Sequence, residues 1–384
     1  MDFIVLSHLR WNFVFQRPQH LMTRCAERNR VFFWEEPIFD ATGAAYVDVL
    51  PKSKQLLVAA PHLPAGLNEN QVWRIQESLL NQFIEQEIIR DYVLWYYTPM
   101  ARHFSRKLQP CAVVYDCMDE LSGFRNAPAG LRSAEAELFN YADLVFTGGK
   151  SLYESKKFQH HSVHCFPSSI DREFFQTARH IAADPADQAR IPRPRLGYSG
   201  VIDERMDTDL IAQIADRRPD WQIVMLGPVV KISESDLPRR ANIHYLGAKE
   251  YHLLPSYLAG WDLGLLPFAL NESTRFISPT KTPEYLSAGL PVVTTRIKDV
   301  LEPYGTYKLV EVATNVDEFI KGAERAIACR DSQERIERVD RFLSRTSWDL
   351  TWSQMRELIE MAVRSNRNLS SSESAGRGTS AAAD

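Results

Sequence analysis

The sequence predicts an α/β protein built from two doubly wound parallel sheets, each covered by helices on both faces. Short continuous apolar runs alternate with helical patterns along most of the chain, which is typical of parallel strands buried between helices. Residues 180–195, HIAADPADQARIPRPR, show no periodicity and are rich in Ala, Asp and Pro, as a connection between domains often is. The length of 384 residues also suits two domains of ordinary size.

The N-terminal domain is assigned to residues 1–180. Residues 71–90 repeat their apolar side chains at close to 3.6 residues, which predicts a long amphipathic helix, and shorter helices are predicted at 132–141 and 150–158. Strand-type apolar runs occur at six places: 3–6, 31–34, 93–97, 112–115, 144–147 and 163–166.

The C-terminal domain is assigned to residues 195–345, after a linker at 181–194. The runs RLGYSG, IVMLGP, NIHYLG, DLGLLPF and PVVTT again alternate with helical segments, so a second parallel sheet is predicted. A last helix is expected within 346–368, and the Ser, Ala and Gly residues of 369–384 predict a disordered tail.

Composition limits the classes of function. The formal charge of −4 argues against a nucleic-acid partner, and five cysteines without a CxxC pair are typical of reduced thiols in a cytosolic protein. No apolar run approaches the length of a bilayer span, so we expect a cytoplasmic protein. The basic stretch RHFSRK leaves open a membrane-surface contact, with an ordinary solvated helix face as the alternative.

Two facing doubly wound domains form a cleft at the carboxyl ends of their strands, where ligands of such folds bind. There the segment SPTKTPEYLSAGLPVVTT places Lys281 at the start of a short predicted helix. Ser278, Thr280 and Thr282 add hydroxyl groups, and the combination suits a phosphate or diphosphate. Glu284 can accept two hydrogen bonds from a ribose. Each residue alone is explained by a solvated helix start, but together they favour a nucleotide site.

Two other loops of the second domain lead towards the same cleft. Gly227 follows the second strand of this domain and would let the backbone approach a nucleotide, while Lys231 in the same loop could reach a phosphate. Tyr251, after the next strand, could stack on a base or pack inside the domain.

The N-terminal domain has candidate ligand contacts of its own, which follow its first strand. The stretch SHLRWNFVFQRPQHL places five polar or aromatic residues before or at the start of the first helix: His8, Arg10, Trp11, Gln16 and Arg17. Such residues at a strand end suggest contact with a sugar, and Trp11 offers a stacking face. Phe13, Val14 and Phe15 are expected to be packing residues.

A second loop of this domain, YDCMDELSGF, carries Asp116 and Asp119 after a buried strand, and both are expected to face the cleft. A reaction that needs a general base could use Asp119, Asp116 or His8. Asp119 is the first choice, because Asp116 at the strand end could instead bond its own backbone and His8 could be structural.

The pattern K-x-x-E-Y-L-S-A-G-x-P-V-V after DLGLLPF, with GYSGVIDERMD before it, resembles GT-B glycosyltransferases of the family 4 or family 1 type, especially those of bacterial cell-surface polysaccharide synthesis. The resemblance spans nearly the whole chain. It implies the GT-B fold, in which two Rossmann-like domains hold the acceptor and the sugar nucleotide respectively, and a final helix crosses back to the first domain. The polar and aromatic residues of the N-terminal domain are then the acceptor-side residues, with acceptor contacts expected from Arg10, Trp11, Gln16 and Arg17.

The resemblance also implies roles for single residues. Glu284 matches the ribose-binding glutamate, and Arg205 and Lys281 match the basic pair that neutralises the diphosphate leaving group in place of a divalent metal. The sequence departs from the family pattern eight positions before that glutamate, where an acidic residue is usual and Phe276 stands here. Glu272 lies close by in the sequence.

A D-x-D pair at Asp207 and Asp209 has the spacing used by metal-dependent transferases of another fold. Asp207 directly precedes a predicted helix, so capping of the helix N-terminus is the expected role, and no metal site is predicted.

We therefore predict a glycosyltransferase that needs no cofactor or metal and uses a nucleotide sugar, with UDP-hexose as the expected donor. Its expected acceptor is a polysaccharide or lipid-linked glycan of the cell envelope, met in the cytoplasm with peripheral contact to the inner face of the membrane. Two alternatives stay open: a sugar-nucleotide epimerase of similar shape, and a non-catalytic nucleotide-sugar-binding subunit, which Phe276 in place of the usual acid would suit.

Overall fold

The computed structural model describes residues 1–378, with side chains to residue 369. It has the predicted α/β fold class with two parallel sheets. Within this described part, no helix combines the length and apolar character needed to cross a bilayer.

The N-terminal sheet has eight strands in the order β3-β4-β2-β1-β5-β6-β7-β8. All neighbouring strands are parallel except the antiparallel pair β3 and β4. The strands are β1 (Asp2–Leu6), β2 (Arg30–Trp34), β3 (Tyr46–Pro51), β4 (Leu56–His62), β5 (Tyr92–Tyr96), β6 (Ala112–Cys117), β7 (Leu144–Thr147) and β8 (Val163–Cys165). The helices of this part of the chain are α1 (Arg17–Cys25), α2 (Glu69–Gln86), α3 (Arg102–Ser105), α4 (Leu131–Tyr141), α5 (Lys150–Lys156) and α6 (Arg172–Gln176).

The C-terminal sheet has six parallel strands in the order β11-β10-β9-β12-β13-β14. The strands are β9 (Arg195–Ser199), β10 (Gln222–Leu226), β11 (Ile243–Gly247), β12 (Leu263–Leu266), β13 (Val292–Thr295) and β14 (Glu311–Ala313). The helices that follow are α7 (Thr208–Arg217), α8 (Leu254–Ala259), α9 (Lys281–Ser287), α10 (Lys298–Val300), α11 (Val316–Ala328), α12 (Gln333–Leu343) and α13 (Trp348–Gly378).

The strand order reverses at one point in each sheet. In the first sheet the chain moves from β1 to β2 on one side and returns to β5 on the other, and in the second sheet β9 lies between β10 and β12 in the same way. Loops that leave neighbouring strands in opposite directions open a crevice at the carboxyl ends of the strands. The ends of β1 and β9 therefore border the cleft between the domains.

Three strands were not predicted from the sequence. β3 and β4 form a hairpin at the sheet edge, and almost every residue of β3 is exposed, so no continuous apolar run marks it. β14 has only three residues and a single buried one. Edge strands pack on fewer neighbours, and their composition therefore carries a weaker signal.

The last helix, α13, packs on the N-terminal domain. Trp352 and Met355 share a buried apolar cluster with Phe3 and Trp95 of the first sheet, and the rings of Trp352 and Phe3 meet edge to face at 6.2 Å. The tail predicted to be disordered from residue 369 is helical as far as Gly378, because extending a formed helix costs much less than starting one. Residues 379–384 of that tail lie outside the described residues.

Candidate active site

The cleft holds two adjoining cavities. The larger, of about 440 Å³, lies between the loop that carries Trp11 and the loops after β9, β10 and β11. The smaller, of about 170 Å³, is lined by Asp119 of the first domain and by Arg205 of the second. Phe15, Gly200 and Lys281 line both, so the two cavities are parts of one continuous site.

Lys281 and Glu284 form an ion pair at the cleft end of α9. The Lys281 Nζ lies 2.7 Å from Oε2 of Glu284, whose residue surface is only 4% exposed. Burial raises the pKa of the Glu284 carboxyl, and the charge and hydrogen bond of Lys281 oppose that rise. The helix is held in place by Tyr285, whose hydroxyl accepts a 2.6 Å hydrogen bond from the backbone N–H of Ser199.

The hydroxyl residues around Lys281 divide into two groups. Ser278 and Thr280 line the smaller cavity, and the Ser278 carbonyl accepts a 2.5 Å hydrogen bond from Ser168 of the first domain. Thr282, predicted to contact the donor, is fully buried within the domain, and its hydroxyl has no hydrogen-bond partner among the described residues. Thr282 lies two residues after Thr280, about half a helical turn, so its side chain points away from the cleft.

Arg205 reaches the smaller cavity from the loop after β9. Asp203 holds its guanidinium, with Nη2 2.7 Å from Oδ2 and Nε 2.9 Å from Oδ1. Burial opposes the charged form, but the hydrogen bonds and charge of Asp203 outweigh it and raise the pKa of Arg205. Because Lys281 lines the same cavity, the structure brings the two predicted phosphate-binding cations together.

Phe124 of the first domain lies beside this basic cluster. The Arg205 guanidinium is 5.6 Å and the Lys231 ammonium 4.5 Å from the centre of its ring. Cations at these distances over an aromatic face are attracted to it, so Phe124 links the two domains at the site.

Asp119 is partly buried on the opposite wall of the smaller cavity. Desolvation raises the pKa of its carboxyl to about 6, although Arg205 and Arg17 favour the charged form. A carboxyl with such a pKa is poised to accept a proton close to neutral pH.

Asp116 does not face the cleft, which corrects the prediction made from its place in the sequence. It is fully buried and bound by Arg17, whose Nη2 lies 2.8 Å from Oδ1 and whose Nε lies 3.0 Å from Oδ2. Arg17 also donates a 2.7 Å hydrogen bond to the Phe166 carbonyl. Arg17 lines the smaller cavity while its hydrogen bonds to Asp116 and Phe166 fix α1 to the sheet, so its predicted acceptor contact stays a prediction.

Of the remaining acceptor-side residues, Trp11 lines the larger cavity and Gln16 the smaller, whereas His8 and Arg10 line neither of the two. Burial lowers the pKa of His8 to about 4, so its ring is neutral at physiological pH. Arg10 pairs with Glu35 at 3.0 Å, and the Trp11 backbone N–H donates to the other oxygen of that carboxylate at 2.7 Å. Gln16 lines the smaller cavity and forms the N-cap of α1.

Phe13, Val14 and Phe15, expected to be packing residues, all line the larger cavity. Phe15 stacks on Tyr251 with ring centres 4.5 Å apart, and Tyr251 also stacks on Phe174 at 5.0 Å. Tyr251 is therefore a packing residue that connects the second domain to the first domain and to the segment before the linker.

Gly227 has a φ of +147° and lines the larger cavity. A Cβ at this position would lie 1.8 Å from the carbonyl oxygen of Gly200. The absence of a side chain thus allows the loops after β9 and β10 to approach each other, which shapes the cavity wall.

Phe276 packs against the apolar core of the first domain. The nearby Glu272 has an exposed side chain and lies 3.6 Å from Arg275. Phe276, where the family resemblance led us to expect an acid, therefore contributes to the contact between domains.

Several residues of the site were missed by sequence reasoning. Asp203, Phe124 and Ser168 matter through tertiary contacts that no local pattern announces. Gly148 was detectable, since a glycine pair directly after a buried strand is typical of close backbone approach: a Cβ there would lie 2.2 Å from the Met118 carbonyl oxygen.

Asp207 has the capping role that the sequence predicts. Its carboxylate accepts a 2.8 Å hydrogen bond from the backbone N–H of Leu210 at the start of α7. Among the described residues, no group of three His, Cys, Asp or Glu side chains is placed to hold a metal ion.

No protein-family model matches the sequence. Over 282 residues the chain is 27% identical to TuaH of Bacillus subtilis, named as a glycosyltransferase of teichuronic acid biosynthesis, and the match covers 68% of this chain and 70% of TuaH. Sucrose-phosphate synthase from Thermosynechococcus elongatus has a similar structure, with a TM-score of 0.69 at 12% identity, over 95% of this chain and 99% of that one. Anabaena HepE in complex with UDP superposes with a TM-score of 0.59 at 14% identity, over 94% and 100% of the two chains.

The solved structures establish the fold, and the sequence relative favours sugar transfer over the epimerase and the non-catalytic subunit. The resemblance predicted from the sequence is thereby confirmed, and the chain is a glycosyltransferase of the GT-B fold.

Proposed function

We propose that this protein transfers a hexose from a UDP-sugar to a hydroxyl group of a cell-surface glycan, without a metal ion. The observation that carries this proposal is the meeting of Arg205, Lys281 and Asp119 on one cavity between the domains. Two cations on one wall can stabilise the negative charge of the departing nucleoside diphosphate. A carboxyl with a pKa of about 6 on the other wall can accept the proton of the attacking hydroxyl.

On the donor side, the departing nucleoside diphosphate gains negative charge as the glycosidic bond breaks. Arg205 is fixed by Asp203 and Lys281 by Glu284, so both cations are oriented before the reaction begins. Preorganised charges of this kind stabilise a developing anion more than mobile ones do. The Glu284 carboxylate, paired with a lysine that lines both cavities, is the proposed ribose contact, and Ser278, Thr280 and Gly227 complete the donor wall.

UDP is the proposed carrier because the Anabaena HepE structure was solved with UDP. A glycan of the cell envelope is the proposed acceptor because TuaH is assigned to teichuronic acid biosynthesis. Such acceptors are assembled at a membrane, so we place the protein in the cytoplasm with peripheral contact to its inner face.

On the acceptor side, Asp119 is the proposed general base. Its carboxylate removes the proton of the attacking hydroxyl while the oxygen forms a bond to the anomeric carbon and the nucleoside diphosphate leaves. Trp11 and Gln16 lie along the wall on which the acceptor would rest, and Arg10 is a proposed acceptor contact next to Trp11 in the sequence.

Metal independence is supported by the two cations, which supply the charge that a divalent ion supplies elsewhere, and by the use of Asp207 as a helix cap. Activity is expected to persist in EDTA and in Asp207→Ala. If both the parent and Asp207→Ala needed added Mn²⁺ for activity, a metal site elsewhere would be indicated. If Mn²⁺ stimulated the parent but not Asp207→Ala, the D-x-D pair would be the metal site.

The first experiment is calorimetry of the intact protein with UDP, GDP, ADP and dTDP in EDTA. We expect UDP to bind most tightly and Glu284→Gln to weaken UDP binding by about tenfold or more, because a charged acceptor of ribose hydroxyls is lost. Glu272→Gln, on the exposed side of the preceding loop, is the matched control. Equal UDP affinity in Glu284→Gln and the parent would contradict the assignment.

A further inference from the structure

A third cavity, of about 260 Å³, lies in the N-terminal domain beside the cleft. Its floor is formed where β1, β2 and β5 end, and its wall by α2 and the segment that begins α3. β1 also borders the cleft, and neighbouring strands are roughly 5 Å apart. The cavity is therefore within a few strand spacings of the proposed reaction centre, on the acceptor side.

The cavity wall contains two buried polar groups that the fold does not use. Gln76 is 4% exposed and its Oε1 has no hydrogen-bond partner among the described residues. Trp34 is 2% exposed, and its Nε1 likewise lacks a partner in the described part of the chain. A buried polar atom without a partner destabilises the fold, so one acceptor and one donor at the same cavity suggest a bound partner with hydroxyl groups.

Aromatic rings surround these polar atoms. Trp73 lines the cavity and is stacked on His103 with ring centres 4.1 Å apart, which fixes the ring plane. Phe39 lines the same cavity and is 50% exposed. Flat apolar faces next to isolated hydrogen-bonding groups are suited to the two kinds of surface that a sugar ring presents.

The charge of the cavity narrows the ligand class. Glu35 and Glu36 line it and no Lys or Arg does, and Arg10 is already paired with Glu35. Arg10 thus neutralises Glu35, whereas the Glu36 carboxylate has no ion pair among the described residues. Such a carboxylate repels a phosphate or a uronate and accepts hydrogen bonds from hydroxyl groups. The lining is thus unlike the basic wall formed by Arg205 and Lys281.

We propose that this cavity is a second acceptor subsite that binds an uncharged sugar unit of the growing glycan, away from the unit that receives the transferred hexose. The assignment rests on the proposed function and specifies its acceptor as a glycan with neutral units rather than a single sugar phosphate.

The test uses the intact protein with neutral disaccharides as probes (maltose, cellobiose, lactose and mannobiose), with glucose 6-phosphate and glucuronic acid as charged comparisons. Saturation-transfer NMR is recorded with and without UDP, and UDP binding is measured separately by calorimetry. We expect at least one neutral disaccharide to bind, and neither charged probe to bind at this cavity.

Gln76→Met and Trp34→Phe remove the two polar groups while keeping most of the side-chain volume. Each is expected to weaken disaccharide binding by about tenfold and to leave UDP affinity unchanged. The melting temperature should stay the same or rise, because an unpaired buried polar atom is replaced by an apolar one. Gln82→Met, at an exposed position of the same helix, is the matched control and should change none of these values.

The proposal is overturned if no neutral disaccharide binds, if only the charged probes bind, or if both substitutions leave disaccharide binding intact. Loss of UDP binding by the parent protein would instead count against the donor assignment, and the two failures are therefore distinguishable.

Discussion

Asp119 links the chemistry of the site to pH at the scale of one residue. Its pKa is raised to about 6 by desolvation, whereas burial lowers the pKa of His8 to about 4. A general base works only when deprotonated, so kcat/KM should reach a plateau above pH 6 and fall about tenfold per pH unit below it. A pH profile of kcat/KM with saturating donor checks this. A fall that begins only near pH 4 would transfer the role of base to His8.

The ionised Asp119 carboxyl should lower the free energy of unfolding at neutral and higher pH. Its folded-state pKa lies above the ordinary value, so the folded protein binds this proton more tightly than the unfolded chain does. The resulting stability is present below about pH 4 and is lost as the pH rises through 6. Asp119→Asn should therefore stabilise the protein at pH 8 by roughly 1–3 kcal/mol, and the gain should shrink as the pH falls. Denaturant unfolding at several pH values measures it, and a gain that is independent of pH would contradict desolvation of the carboxylate as its cause.

How far single residues could be predicted depends on where their partners lie in the sequence. Lys281 and Glu284 are three residues apart on one helix, so their common direction follows from local geometry. Arg17 and Asp116 are separated by 99 positions, and nothing in either neighbourhood reveals that they bind each other. Asp116 was therefore expected at the cleft although it is buried, and the part that Arg17 plays in holding it was missed.

At the scale of elements, the loops after β9 and β10 depend on Gly227. Gly227→Ala would place a Cβ against the Gly200 carbonyl oxygen at a φ that side chains rarely adopt. We expect a loss of about 1–3 kcal/mol in unfolding free energy and weaker UDP binding, because the two loops form the wall of the larger cavity.

Gly247→Ala is the matched control, because it introduces a side chain at a positive φ without a steric clash. This glycine ends β11 with a φ of +72°, and a Cβ there would meet nothing within 4 Å. It should cost only about 1–2 kcal/mol and leave UDP affinity unchanged. Thermal unfolding and calorimetry of both variants measure the difference, and equal effects on UDP binding would refute the role of Gly227 in the cavity.

Most buried strands were predictable because burial makes them apolar, although β4, a largely buried apolar strand, was not assigned. β1, β5 and β6 are almost wholly buried, and each appears in the sequence as a continuous apolar run. β3 was missed because its outer face meets water, so that its pairing with β4 comes from main-chain hydrogen bonds that any composition could make.

At the scale of the molecule, a buried carboxylate joins the two domains. Asp299, 6% exposed, accepts a 2.9 Å hydrogen bond from the backbone N–H of Ser151 at the start of α5. The neighbouring pair Lys150–Glu302, at 2.9 Å, is exposed on both sides. Exposed pairs contribute little, so the buried contact should dominate at this place.

Asp299→Ala should therefore favour a more open cleft. We expect a larger radius of gyration in solution scattering and a several-fold weaker affinity for UDP, since a buried hydrogen bond to a charged group is worth roughly 1.5–3 kcal/mol. Glu302→Ala should change neither quantity. Identical scattering from Asp299→Ala and the parent would show that the contact does not hold the domains together.

The two-domain architecture could be predicted because the same alternation of strands and helices occurs on both sides of a segment without periodicity. The contacts across the cleft could not, since Phe124, Phe276 and Asp299 each belong to a loop or a short helix whose partner lies in the other domain. Such pairings depend on how the finished domains meet.

The packing of α13 on the first sheet has a consequence for biosynthesis. Trp352 and Met355 belong to the same apolar cluster as Phe3 and Trp95, so the earliest and latest parts of the chain complete one core. A ribosome releases the N-terminal domain first, with that face still uncovered while the whole second domain is made. Final consolidation of the first domain must then await the emergence of α13 from the ribosome, and nascent chains stalled before residue 348 should be the ones that engage chaperones.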